Sequence, residues 1–341
     1  MKILVTGGVG FIGSHTVVEL QQCGFEVVIA DNLSNSFENV VNAIQQITGV
    51  KPAFENIDLA DISQTKRLFQ KHPDIAGIIH FAAYKAVGES TLFPLKYYQN
   101  NLYSLINLLT VMQEYKIVNL VFSSSCTVYG QPEVLPVNEE SPIQKALSPY
   151  GNTKQIAEEI ITDVIKVSDL NAILLRYFNP IGAHQSALIG ELPIGVPNNL
   201  VPYITQTAIG KRQLLSVYGN DYNTPDGTCI RDYIHVVDLS KAHVMALNRL
   251  LKKEAQQACE IFNLGTGKGH SVLEVIHSFE KISGIKLPYQ IVDRRTGDVE
   301  QIWADTSLAN DVLGWKAAKN LDEMMLSAWN WEKYLDKTKT N

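Results

Sequence analysis

Lys2-Ile3-Leu4-Val5-Thr6-Gly7-Gly8-Val9-Gly10-Phe11-Ile12-Gly13 opens the chain with an apolar run that stops abruptly at glycine. The run predicts a buried strand, and Val17, Val18 and Leu20, recurring ahead of Gly24, predict a helix after the turn. In such a strand, turn and helix, glycines at 7, 10 and 13 let the backbone turn tightly, approach a pyrophosphate and pack helix on strand. The helix start then aims amide hydrogens at phosphate. The next apolar run, Glu26-Val27-Val28-Ile29-Ala30, ends at Asp31, 18 residues past Gly13. A carboxylate there accepts from both ribose hydroxyls of a dinucleotide and repels a 2′-phosphate, so the pattern predicts NAD rather than NADP.

Working outward, Pro52 to Asn56, Gly77 to Phe81, Asn119 to Ser123 and Asn171 to Leu175 are further apolar runs that alternate with helical segments. Alternation of this kind predicts an α/β fold with a doubly wound parallel (Rossmann) sheet. Functional groups belong at the carboxyl ends of its strands, which here are Asp58, Phe81-Ala82-Ala83, Ser123 to Ser125 and Tyr177-Phe178-Asn179. After about residue 180 the chain turns to loops rich in Gly, Pro and Asn. The expected division is a cofactor domain over 1–180, also receiving later segments at about 230–250, and a smaller mixed α/β C-terminal substrate lobe over 181–341.

Ser148-Pro149-Tyr150-Gly151-Asn152-Thr153-Lys154 carries the chemistry. Ser148 suits an N-cap and Pro149 the first helical position, and Ile156, Ile160, Ile161, Val164 and Ile165 follow at helical spacing. Tyr150 and Lys154, four apart, then share one helix face. A phenol with a pKa of about 10 is a poor base at neutral pH, and a fixed cation beside it favours the phenolate. Such a pair can move protons of a sugar or steroid hydroxyl. In isolation Tyr-x-x-x-Lys is only an exposed helix pair; the dinucleotide motif gives it meaning. A serine among Ser123, Ser124 and Ser125 can share the proton, and strand geometry alone does not choose between them. The serine run lacks the glycines of a nucleophile elbow, which argues against acyl chemistry.

Composition narrows the class. The 341 residues are 45% hydrophobic, with a net charge of −6 and a pI near 5.8, which argues against non-specific nucleic-acid binding. Cys23, Cys126, Cys229 and Cys259 form no Cys-x-x-Cys pair, and neither a zinc knuckle nor a disulfide framework is expected. The N-terminal apolar run is too short for a signal peptide and no stretch approaches a membrane span, so a cytoplasmic protein is expected. The eight histidines show no ligand spacing, and His80, His184 and His235 are taken as core or hydrogen-bonding residues, with no metal. There is no internal repeat and no low-complexity tract. In the second half, Val196 to Leu200 offers an amide at a helix start and Ser216-Val217-Tyr218 a short strand. Arg231-Asp232-Tyr233-Ile234-His235 and Arg294-Arg295-Thr296-Gly297-Asp298 place guanidinium groups in loops, suited to a diphosphate-bearing substrate. Leu321 to Tyr334 predicts a last amphipathic helix in which Trp329 and Trp331 pack, and the tail from Asp336 looks frayed.

Taken together, the glycine turn, Asp31-Asn32-Leu33, Phe81-Ala82-Ala83-Tyr84-Lys85-Ala86-Val87-Gly88-Glu89-Ser90, the serine run, Tyr150 with Lys154, and Arg176-Tyr177-Phe178-Asn179-Pro180 strongly resemble the extended short-chain dehydrogenase/reductase family. Lys85 to Ser90, Val196 to Leu200 and Arg231 to His235 resemble its UDP-sugar 4-epimerase branch, from residue 2 to about 335. The resemblance implies a tightly held NAD lined by Phe11, Ile12, Asp31, Asn32, Leu33, Ser34, Asn35, Ser36, Asp58, Leu59, Phe81, Ala82, Ala83, Tyr84, Lys85, Asn100, Ser125, Tyr150, Lys154 and Phe178. It implies a UDP-sugar held by Asn179, Asn199, Leu200, Ser216, Val217, Tyr218, Arg231, Arg295 and Asp298, with Lys85, Ser125 and Tyr150 near the sugar. The implied activity, with Tyr150, Lys154 and Ser125 catalytic, is reversible epimerisation at carbon 4 of UDP-galactose and UDP-glucose. Hydride passes transiently to NAD through a 4-keto sugar while Tyr150 takes the hydroxyl proton. A homodimer through about Tyr98 to Glu114 and Tyr150 to Lys166 is also implied.

Two other readings compete. Related 4,6-dehydratases begin with the same oxidation and need an acid and a base beside the serine, where they carry Asp-Glu; this chain has Cys126-Thr127. A redox sensor that binds NAD without catalysis has no need of the Tyr-Lys-Ser set. Ile302 stands where family members carry either a bulky aromatic or a small residue, a choice thought to decide whether an N-acetyl group fits. Isoleucine is intermediate, so UDP-glucose and UDP-galactose are expected as the main pair, with weaker turnover of N-acetylated sugars.

Overall fold

Strand β1 (Lys2–Thr6) leads through the glycine turn into α1 (Phe11–Gln22) and β2 (Glu26–Asp31). The alternation continues with α2 (Asn39–Thr48), β3 (Ala53–Asn56), α3 (Ile62–Lys71), β4 (Ile75–His80), α4 (Val87–Leu92), α5 (Pro94–Glu114), β5 (Asn119–Ser125), α6 (Pro149–Ile165) and β6 (Asn171–Tyr177). The second half holds β7 (Asn179–Ile181), α7 (Leu200–Ala208), β8 (Leu215–Tyr218), β9 (Ile230–His235), α8 (Val236–Leu251), β10 (Cys259–Leu264), β11 (Gly269–Ser271), α9 (Val272–Ser283), β12 (Tyr289–Val292), β13 (Gln301–Ile302), α10 (Ser307–Asp311) and α11 (Leu321–Lys339). The structure, a computed structural model, describes residues 1–295 and 298–339. Thr296 and Gly297 of the arginine loop, and Thr340 and Asn341 of the tail, lie outside the described residues.

Among the described residues the large sheet has seven strands in the order β10-β6-β5-β4-β1-β2-β3, every pairing parallel. Both faces are covered, which is why its strands read as near-continuous apolar runs. Ile3, Val5, Val121, Ile173 and Leu175 face one layer with Val17 of α1 and Leu239 and Leu247 of α8. Leu4, Leu120, Phe122 and Leu174 face the other with Leu105 and Leu108 of α5 and Ile161 of α6. The doubly wound sheet expected from the sequence is therefore present. The return to it runs further than 230–250: α8 covers its face and β10 is its edge strand beside β6. The second lobe has a mixed sheet, β11-β9-β13 with β7 beside β9, and a parallel β8-β12 pair. Its core joins α7, α9 and α11, with Trp329 edge-on to Phe279.

Three wholly enclosed histidines tie stability to pH. His15 hydrogen-bonds the Phe11 carbonyl at 2.7 Å, His80 the Thr6 hydroxyl at 2.7 Å and His243 the Leu239 carbonyl at 2.9 Å. Burial lowers their pKa values to about 3, about 3 and about 4. Between pH 6.5 and those values only the unfolded chain takes up the protons, so stability is complete above 6.5 and falls as the pH drops. The loss is roughly 1.4 kcal/mol per histidine per pH unit. Urea unfolding is expected to show a clearly lower midpoint at pH 5.5 than at pH 7.5; equal midpoints would contradict the burial of these rings.

Candidate active site

The carboxyl ends of the large sheet and the inner wall of the second lobe enclose a cleft of about 1720 Å³. At one end lies the glycine turn. Gly7 sits at φ 68°, and a Cβ on it would stand 2.9 Å from the Ala82 nitrogen; a Cβ on Gly13 would stand 2.2 Å from the Gly7 carbonyl oxygen. Only hydrogen fits at either position, so the backbone itself forms the floor of the cleft. Helix α1 opens onto that floor from Gly10 with no side-chain cap and no acidic residue in its first turn, an arrangement that suits an anion. Asp31, at the end of β2, accepts from the Leu33 amide and the Ser36 hydroxyl through Oδ1, both at 2.9 Å, and from the Val9 amide through Oδ2 at 3.4 Å. Oδ2 keeps acceptor capacity for hydroxyl groups. This end fits a dinucleotide whose ribose lacks a 2′-phosphate.

The middle of the cleft is built where β5, β6 and α6 meet. The Ser148 hydroxyl caps α6 by accepting from the Gly151 amide at 3.1 Å, and Pro149 begins the helix, as its sequence predicts. Tyr150, Lys154 and Glu158 then fall on one buried face. The serines lie within β5, and strand alternation sorts them. Ser124 pairs in register with Arg176 and donates to Glu158 on the α6 side, at 2.5 Å. Ser123 and Ser125 point the other way: Ser123 meets the Tyr177 hydroxyl at 2.5 Å, and the Ser125 hydroxyl accepts from the Thr127 amide at 3.2 Å and lies near enough to the Tyr150 phenol to lower its pKa.

The electrostatics differ from the expectation that Lys154 lowers the tyrosine pKa. The Lys154 amine donates to the Ser123 carbonyl oxygen at 2.6 Å and lies 4.8 Å from the Phe122 ring centroid. Burial, and after it the neighbouring Tyr177 hydroxyl, push the Tyr150 phenol well above its usual value, with the Ser125 bond pulling the other way. Burial also lowers Lys154 to about 8, opposed by the charge of Glu158. For both groups burial is the largest cause of the shift, and each is pushed toward its neutral form.

At the far end Asp298 lies between two guanidinium groups, Arg295 at 3.1 and 3.2 Å and Arg231 at 3.6 Å. The Arg295 guanidinium also lies 5.4 Å from the Tyr218 ring centroid. Two arginines sharing one carboxylate leave net positive charge, suited to phosphate oxygens. Ile302 is buried, paired with Arg231 across β13 and β9, and packs with Cys126 and Phe178. Burial raises the Cys126 thiol to about 12, so that position holds no proton-donating carboxyl and no ready thiolate.

All the site residues named from the sequence line this cleft except Leu33 and Val217. Val217 lies on the inward face of β8, in the core of the second lobe, while Ser216 and Tyr218 face the cleft, as period-two alternation requires. The Leu33 side chain packs against the sheet core, and its amide serves to hold Asp31. Glu191, Tyr177 and Trp331 also line the cleft. Glu191 escaped the sequence reading because nothing in its surroundings forms a motif, and Trp331, taken as packing, in fact borders the cavity and donates to the Glu191 carbonyl at 2.9 Å.

Comparison with known proteins agrees with this geometry. The family model described as GDP-mannose 4,6 dehydratase matches residues 4–327. The chain is 51% identical over 332 residues to a UDP-glucose 4-epimerase of Dictyostelium discoideum, covering 97% of this chain and 95% of that protein. Among solved structures it is similar to the UDP-glucose-4-epimerase of Stenotrophomonas maltophila with bound NAD and formylated UDP-arabinopyranose, with TM-score 0.95, 48% identity and 99% of each chain covered. It is also similar to the Bifidobacterium longum UDP-glucose 4-epimerase in complex with NAD+ and UDP, with TM-score 0.94, 45% identity and 98% of each chain covered. By a likeness that runs nearly end to end, in sequence and in backbone, this chain belongs to the UDP-glucose 4-epimerase family of extended short-chain dehydrogenases/reductases.

Proposed function

We infer that this chain interconverts UDP-galactose and UDP-glucose by inverting carbon 4 of the hexose with tightly held NAD. The observation that carries the reading is that one cleft is lined by the glycine turn, by Tyr150 and Ser125, and by Arg231 and Arg295. The chemistry that bound NAD supplies is reversible oxidation at carbon 4, through a 4-keto sugar. Gly7 to Gly13 and Asp31 are assigned to holding its pyrophosphate and ribose. Tyr150 Oη takes the proton of the 4-hydroxyl and gives it back after the sugar has turned. Ser125, at the end of β5, faces that phenol in the cleft, and Lys154, one helical turn on, is fixed by the Ser123 carbonyl at 2.6 Å. Arg231 and Arg295 anchor the diphosphate, which leaves the hexose free to present either face. Residues 1–180, with the segments that return to the large sheet, form the cofactor part; the rest of the second lobe forms the sugar part.

Two finer points belong to the same reading. Leu95, Tyr103 and Ile106 of α5 are exposed apolar side chains, which supports a homodimer through α5 and α6; a one-chain mass in light scattering would remove it. The four free thiols suit the reducing cytoplasm. Among the described residues no helix is long and apolar enough to cross a membrane.

The reaction is tested by proton NMR of purified protein incubated with UDP-galactose and no added cofactor. UDP-glucose is the expected product. A 4-keto-6-deoxy sugar would indicate a dehydratase, and a requirement for added NAD would contradict its retention. The intermediate size of Ile302 supports the glucose and galactose pair, and equal turnover of the N-acetylated sugars in the same assay would overturn that preference.

A further inference from the structure

Asn199 is the N-cap residue of α7, and asparagine is among the best capping side chains, yet it makes no cap bond to the helix. Its amide instead donates to Glu191 Oε1 at 2.6 Å. The same oxygen receives the Lys85 ammonium at 3.0 Å, from the loop that follows β4 on the other side of the cleft. Glu191 is well fixed for this task. Its side chain is only 11% exposed where that of Lys85 is 51%, its carbonyl accepts from the Trp331 indole, and a Cβ on adjoining Gly190 would meet the Trp331 ring at 2.5 Å. One anchored carboxylate therefore holds two cleft-lining groups from opposite walls.

We propose that Glu191 is a positioning residue for the substrate. By holding the Asn199 side chain away from α7 it leaves the Leu200 and Val201 amides of that helix start without a side-chain cap, Pro202 having no N–H, and by holding Lys85 it keeps a cation on the same cleft. The proposal rests on the UDP-sugar reading of this cleft. Without the carboxylate, Asn199 falls back onto α7 as an ordinary cap and closes the helix start, while Lys85 turns to water. Glutamine keeps the size and an acceptor for Asn199 but gives up the charge that holds Lys85.

Steady-state kinetics on Glu191→Ala and Glu191→Gln, each isolated with its retained cofactor, test this. The alanine variant is expected to raise KM for UDP-galactose about tenfold with kcat within threefold of the parent, and the glutamine variant to fall between. Retained NAD, read by absorbance, and melting temperature should not fall, since a helix cap is regained. A KM within twofold of the parent, a lowered KM, or a raised KM that comes with lost NAD or lost stability would each overturn the proposal. Should the parent protein itself give no UDP-glucose, the functional reading fails instead, and the two failures are told apart in one assay.

Discussion

Tyr150→Phe is expected to lower turnover by roughly two to four orders of magnitude while leaving the fold and UDP binding intact. The Tyr150 ring is buried and lines the cleft, so phenylalanine keeps the packing and removes only the atom that carries the proton. Burial, and after it the neighbouring Tyr177, raises the pKa of that phenol. Parallel measurements of kcat, UDP affinity by calorimetry and retained NAD separate the cases. A near-parental kcat in Tyr150→Phe would move the base elsewhere, and a loss of UDP binding equal to the loss of rate would make the hydroxyl a binding group.

The second large effect is structural. Glu158 meets Arg176 through two bonds, at 3.0 and 2.6 Å, with side chains 7% and 3% exposed. The guanidinium continues to the Tyr129 hydroxyl at 3.1 Å, which donates to Asn263 at 2.7 Å, so one polar chain links α6, β6, the turn after β5, and β10. Glu158→Ala strands the guanidinium without its partner and should cost roughly 3–5 kcal/mol. For a chain of 341 residues that is a fall in Tm of roughly 4–7 °C. Replacing both partners, as Glu158→Met with Arg176→Leu, should recover much of the loss, since the buried charge goes with its partner. Losing Glu158 also removes the charge that opposes the burial shift of Lys154, so that amine loses its proton at a lower pH and the alkaline limb of the activity profile should move to lower pH. An unchanged Tm in Glu158→Ala would show that the pair contributes nothing.

Much of this was legible in residue order. The glycine turn, the carboxylate after the second strand and the Ser148–Pro149 helix start are local devices, and each requires a particular residue type at a fixed offset. Alternating apolar runs disclosed the parallel sheet because both faces of every strand are buried. What escaped was set by distant neighbours. The choice of Ser125 depends on the register of β5 against β6 and on which face α6 covers. Glu191 acquires its position from Trp331, 140 residues further along the chain. Helical spacing places Lys154 on the face of Tyr150, but it does not disclose the bond that the Lys154 amine makes to the Ser123 carbonyl of β5. Val217 was misplaced within its own strand because three consecutive residues were taken together where only alternate ones share a face.

The edge position of β10 bears on how the protein is made. Six residues from Cys259 to Leu264 complete a ladder whose other members have all left the ribosome by Tyr177. Until they arrive, β6 presents its unpaired amides and carbonyls to any passing strand, and edges of that kind recruit partners from other chains. A gene fragment that stops near residue 180 therefore leaves β6 as the exposed edge, a place that β10 takes in this chain, and it lacks both that strand and the α8 layer that covers one face of the sheet.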